Sequence, residues 1–172
     1  MNKTFCIALA GNPNCGKSTI FNALTGSHQH VGNWPGKTVE KKEGFFKQNN
    51  SQIMAVDLPG TYSLTAYSLE EVITRDYILN EKPDAVISVL DSANLERNLY
   101  LTVQILELGA PIIIDLNMSD ITESRGFKID VEKLSDAFGA KVVKTIGNQG
   151  KGIDKLKQVI LEMVASNESE EK

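Results

Sequence analysis

Eight residues, Gly11-Asn12-Pro13-Asn14-Cys15-Gly16-Lys17-Ser18, follow the spacing Gly-x-x-x-x-Gly-Lys-Ser. That spacing suits one chemistry, the cradling of a row of phosphates. Gly11 and Gly16 permit close approach of a phosphate to the backbone, Lys17 can reach the β- and γ-phosphates, and the Ser18 hydroxyl can ligate magnesium. Asn12, Asn14, Cys15 and Thr19 complete the candidate phosphate-contacting set. An apolar run from Phe5 to Ala10 precedes the loop, and Ile20, Phe21 and Leu24 recur behind it at helical spacing. A strand that feeds a tight loop and opens a helix aims successive N–H groups, and the positive end of the helix dipole, at one place.

Three further constellations have chemistry to offer. Asp57-Leu58-Pro59-Gly60 ends an apolar run, where Asp57 can hold magnesium through water and Gly60 can offer its N–H to a γ-phosphate. A strand-end turn would also explain Asp-x-x-Gly, but a P-loop upstream favours the metal. Asn117-Met118-Ser119-Asp120 ends another apolar run. The Asp120 carboxylate can accept from both N1–H and the N2 amine of guanine, whereas adenine would leave it unpaired; a helix cap is the alternative. Thr38 precedes the second strand, where a threonine can complete the magnesium shell while a γ-phosphate is present and let go when it is lost. A β-branched strand residue is the plain alternative there.

The elements that must position these groups alternate along the chain. Strands are expected at Phe5–Ala10, Thr38–Phe46, Gln52–Leu58, Ala85–Leu90, Pro111–Leu116 and Lys141–Thr145. Helices are expected behind the P-loop, from Ser68 with its Glu71 capping partner, along Leu95–Leu106, over Asp130–Phe138 and along Ile153–Met163. This pattern predicts an α/β fold with a mostly parallel six-stranded sheet, one edge strand antiparallel, and helices on both faces. Ser27 to Gly36 reads as an irregular polar stretch, and the acidic tail 166–172 has nothing to bury. Candidate groups fall at the carboxyl ends of strands, where open parallel sheets bind ligands.

Composition narrows the partners. The 172 residues carry a net charge of −4 and no Lys/Arg cluster, which argues against nucleic acid as the main partner. No apolar stretch approaches the roughly 18 residues needed to span a bilayer. Cys6 and Cys15 make no disulfide framework.

Together the P-loop, Thr38, Asp57-Leu58-Pro59-Gly60 and Asn117-x-x-Asp120 look like a translation-factor-type GTPase domain. Val31-Gly32-Asn33-Trp34-Pro35-Gly36-Lys37-Thr38-Val39-Glu40, Asp57 to Leu64 and Asp91 to Leu101 resemble more narrowly the cytosolic GTPase domain of FeoB, the bacterial ferrous-iron transporter family. The resemblance runs from about residue 3 to 165 and implies a Ras-like G domain over 1–165, with 166–172 a tail or the start of a linker. It implies a soluble fragment working at the cytoplasmic face of the inner membrane as part of a longer protein. Its ligands would be GTP or GDP with Mg²⁺, its partner the membrane transport portion of the same protein, and an oligomer is left open. A stand-alone ribosome-assembly or tRNA-modification GTPase is the alternative, and a nucleotide sensor with negligible turnover a third reading.

Three departures sharpen these expectations. Thr61 stands where Ras-like proteins place the water-orienting glutamine, so intrinsic hydrolysis is expected to be slow. Asn14 stands where potassium-activated relatives bind K⁺ beside the phosphates, although its turn preference is another explanation. Thr145-Ile146-Gly147-Asn148 replaces the usual Ser-Ala-Lys of the guanine-capping loop. An N–H of Gly147 or Asn148 can still reach guanine O6, but a less ordered loop and fast GDP release are expected. His28 and His30 lack a third metal ligand at suitable spacing, and Cys15 reads as filler rather than a redox sensor.

Overall fold

In the computed structural model, which describes residues 4–170, the first apolar run becomes β1 (Thr4–Gly11) and the helix after the P-loop becomes α1 (Lys17–Thr25). The chain continues through β2 (Gln29–Asn33), β3 (Glu40–Gln48), β4 (Ser51–Asp57), α2 (Leu69–Glu81), β5 (Ala85–Asp91) and α3 (Leu95–Glu107). Then follow β6 (Ile112–Asn117), α4 (Ser119–Ser124), α5 (Val131–Phe138), β7 (Lys141–Lys144) and α6 (Ile153–Glu170). One sheet takes the strands in the order β2-β3-β4-β1-β5-β6-β7. From β4 to β7 neighbours pair in parallel, and β3 is antiparallel to both β2 and β4.

Successive side chains of β1 feed opposite faces, as the two-residue strand period requires. Ile7 and Leu9 meet Ile20, Phe21 and Leu24 of α1 and Leu156 and Ile160 of α6. Ala8 and Ala10 belong to the other layer, with Ile73 and Ile78 of α2 and Leu101 and Ile105 of α3. Phe21 is fully buried, and truncating such a side chain to alanine costs about 3–5 kcal/mol. Ser68 caps α2 as the capping box predicts, its hydroxyl accepting the Glu71 N–H at 3.1 Å.

The α/β fold with a mostly parallel sheet agrees with the sequence, but the sheet has seven strands, not six. The polar stretch Ser27 to Gly36 contains β2, paired with β3 from Gln29↔Gly44 to Asn33↔Glu40. Its side chains are largely exposed, so no apolar alternation marks it; backbone pairing holds it, helped by Gln29, whose Nε2 donates to Asn22 Oδ1 at 2.8 Å and to Thr25 Oγ1 at 3.0 Å. The reversed strand is therefore second from the edge rather than at it. At the other end α6 runs to Glu170, past the expected frayed boundary at 166, and Asn167 Nδ2 donates to the Asp84 carbonyl at 3.0 Å.

Candidate functional site: a P-loop joined to a base-recognition loop

The P-loop leaves β1 in the middle of the sheet. Gly16 adopts φ 87°, and a Cβ there would lie 2.2 Å from Asn117 Nδ2, so nothing larger than glycine fits. A Cβ on Gly11 would likewise lie 2.6 Å from Cys15 Sγ. The first bond of α1 runs from Ile20 N–H to Gly16 O, and no side chain caps the helix. The leading N–H groups are therefore free to face a ligand. Asn14 stands exposed at φ 64°, and Ser18 and Thr19 are exposed at the helix start. Cys15 is turned inward, and burial raises its thiol pKa to about 11, which agrees with filler and not with a reactive thiol.

Lys17 Nζ is ion-paired with Asp57 Oδ1, both side chains buried. Beyond Asp57 the chain is stitched to the end of β1 and the start of the P-loop: Leu58 N–H donates to Leu9 O at 3.0 Å and Thr61 N–H to Gly11 O at 3.1 Å. Gly60 passes so close that a Cβ would be 3.4 Å from Pro13. The Thr61 hydroxyl is spent on Ser63 O at 2.9 Å. The fold thus unites Lys17, Asp57 and Gly60. It does not bring in Thr38, which is exposed in the bend before β3 and, among the described residues, makes no hydrogen bond to the P-loop. The oxygen donors Ser18 and Asp57 suit a hard divalent cation that keeps most of its water, and the Asn14 side chain is exposed.

At the base end Asn117 bridges two loops. Its Nδ2 donates to Cys15 O at 3.1 Å and its Oδ1 accepts the Gly147 N–H at 3.0 Å. Of the two candidate donors to guanine O6, Gly147 is therefore engaged already, which leaves Asn148, exposed beside it. The loop is better held than its sequence suggests. Ser119 Oγ donates to Thr145 O at 3.1 Å, and Ile146 bridges Lys151. Asp120, in the first turn of α4, is half-buried and makes no hydrogen bond to the described residues, so both oxygens can accept from a base.

Several contributors escaped the sequence. Ser92 Oγ donates to Asn117 O at 2.5 Å and Thr122 Oγ1 bonds Ser92 at 3.0 Å, buttressing the Asn117 turn. Nothing in the order of residues pairs them. Arg97 stacks 4.5 Å from the Tyr62 ring and lines, with Asp91, Asn94 and the P-loop Asn12 and Asn14, a cavity of about 210 Å³. Asp115, an acid inside an apolar strand, was a visible anomaly. His28 and His30 join no group of three metal-ligating side chains among the described residues.

A family model described as Ferrous iron transport protein B matches residues 5–160. The chain belongs to this family. The FeoB Fe(2+) transporter of Salmonella typhimurium is 53% identical over 162 residues, covering 92% of this chain and 21% of that protein, so the chain spans about a fifth of the curated FeoB relatives it matches. The FeoB G domain from Methanococcus jannaschii superposes with a TM-score of 0.85 at 50% identity, covering 95% of this chain and 99% of that one. The cytosolic domain of T. maritima FeoB in a GDP form superposes with a TM-score of 0.92 at 46% identity, covering 94% and 64%. The chain has the fold of a FeoB G domain, and none of its described helices is long and apolar enough to cross a membrane.

Proposed function

We propose that this chain is a slowly hydrolysing GTP switch that regulates ferrous-iron transport, acting on the membrane portion of a longer protein at the cytoplasmic face of the bacterial inner membrane. The observation that carries the reading is the Asn117 bridge, which makes the phosphate loop and the base loop one site. The cytosolic domain of T. maritima FeoB in a GDP form, which has the same fold, supports the choice of nucleotide.

In this reading the N–H groups of Gly16 to Thr19 and the Lys17 ammonium hold the phosphates, while Asp120 and Asn148 select guanine. Magnesium, held by Ser18, Asp57 and later Thr38, and potassium, held by Asn14, would supply positive charge beside the β- and γ-phosphates. Lys17 must exchange its Asp57 partner for phosphate oxygens, which moves a buried ion pair without losing a counter-charge. Gly60 N–H can orient the γ-phosphate or the attacking water. Thr61 cannot act as the missing glutamine, because its hydroxyl is bonded to Ser63 O. Thr38 must travel inward from an exposed bend, which suits a group that acts only when the γ-phosphate is present.

Phosphate release from GTP, measured in KCl and NaCl at matched ionic strength, tests the reading. Turnover is expected in both, faster in KCl, and Asn14→Ala is expected to erase the difference while leaving GDP binding intact. No release in either salt would reduce the chain to a nucleotide sensor; equal rates would remove potassium alone.

A further inference from the structure

Asp115 sits on β6 two positions before Asn117 and is fully buried. Its Oδ1 accepts the Thr145 hydroxyl at 2.6 Å, and its Oδ2 has no partner among the described residues. The same Thr145 oxygen lies 3.4 Å from Asn117 Oδ1. One hydroxyl thus stands between a buried carboxyl and the amide that ties the P-loop to the base loop. A threonine hydroxyl carries one proton and donates to one of those oxygens at a time.

We infer that Asp115 is a positioning residue for the guanine end of the site: its protonation state sets the direction of the Thr145 hydroxyl, and through it how firmly Asn117 is held. This rests on the reading of the site as a guanine-nucleotide site. With the carboxyl ionised, Thr145 donates to Asp115 and presents only lone pairs to Asn117 Oδ1. With the carboxyl neutral and its proton on Oδ1, Asp115 donates to Thr145, and the hydroxyl proton turns to Asn117. Asn117 Oδ1 then accepts from both Thr145 and Gly147. One proton is taken up from solvent at Asp115, and none leaves the relay.

The surroundings place this exchange in an accessible range. Burial pushes the Asp115 carboxyl up to about 7, against the opposing pull of the Thr145 hydrogen bond. Val89 of β5 and Val143 of β7 flank it in register, and the helices on that face of the sheet contribute apolar side chains such as Ile20 and Ile153. The titratable group facing it is Cys15 beneath the P-loop, its pKa raised to about 11 and hence neutral. Lys17 faces Cys15 as well but is paired to Asp57.

Release of a fluorescent GDP analogue, followed by stopped flow between about pH 5.5 and about pH 8, reads the relay directly. The wild-type chain is expected to release about fivefold faster at the upper pH, the worth of one neutral hydrogen bond. Asp115→Asn, whose amide can donate to Thr145 as the neutral acid does, should release slowly at both ends. Thr145→Val should release fast at both, and Thr145→Ser should restore the wild-type profile. The β-phosphate titrates alike in all four proteins, so differences between the profiles belong to the relay. Superimposable profiles for wild type and Asp115→Asn would overturn the proposal, and with Thr145→Ser they decide the matter even if Thr145→Val does not fold. A wild-type chain that binds no GDP analogue would instead overturn the guanine-site reading, and this inference with it.

Discussion

The two ends of the site are built on opposite plans. At the base end Asn117, Ser119, Thr145, Ser92 and Thr122 are buried and bond one another across the turn after β5, the end of β6, α4 and the loop after β7. At the γ-phosphate end the chain from Pro35 to Thr38 is exposed. The segment from Ser63 to Tyr67 is held at a few points: Glu71 accepts the Ser63 hydroxyl at 2.8 Å, the Thr65 hydroxyl at 3.0 Å and the Tyr67 N–H at 2.9 Å, and the buried Leu64 donates its N–H to Gln104 Oε1 at 2.8 Å. The bonds to Glu71, the Tyr67 N–H first, hold its carboxyl below the usual range. Trp34 limits how far the first segment can stray, since it is buried edge-on against Tyr77 at 5.5 Å with Lys41 over its ring. A buried, mutually bonded network keeps one geometry, whereas exposed segments held by a few water-competing bonds can adopt two. On the proposed function, the fixed end selects the base and the movable end reads the third phosphate.

Removing the cation at the phosphate end should have the largest effect. Lys17→Ala removes the phosphate cation and leaves Asp57 buried without its partner, so hydrolysis should fall by about 10³-fold in a phosphate-release assay. Next comes the fixed end's own dependence on pH. The Asp115 carboxyl is raised in the fold, so the folded state holds its proton more tightly, and the stabilisation present at low pH is lost as pH rises through about 7. Chemical denaturation should show the wild type losing up to roughly 4 kcal/mol relative to Asp115→Asn between about pH 4 and about pH 8. A constant difference between the two proteins would mean that the carboxyl does not titrate there.

Asp120→Asn changes the fixed end where the base would meet it. It exchanges an acceptor pair for an amide donor, so GTP should bind about ten- to a hundredfold more weakly and XTP relatively better in competition. Glu71→Gln, which keeps the side chain's shape and one acceptor oxygen, should do least to global stability, below about 0.5 kcal/mol. It should nevertheless speed amide exchange from Ser63 to Tyr67, and leave Asn117 to Gly147 untouched.

The sequence announced the movable end's chemistry but not its architecture. Lys17, Asp57 and Gly60 were visible because strand-loop-helix order forces them to one sheet edge. The strand β2 was not, because an exposed edge strand is held mainly by backbone bonds that no apolar pattern records. The fixed end shows the converse. Asn117 and Asp120 carry a recognisable spacing, yet the order of the 145–148 loop comes from partners far away in the chain, such as Ser119 and Asn117. The departure from Ser-Ala-Lys therefore pointed to a looser loop than the one the fold builds.

Amide hydrogen exchange, measured with GDP–Mg²⁺ and with a non-hydrolysable GTP analogue and Mg²⁺, tests the division most directly. The triphosphate is expected to slow exchange in residues 35–39 and 60–67 while residues 115–120 and 145–149 exchange alike with either nucleotide. Equal slowing at both ends, or none at 35–39 and 60–67, would contradict it.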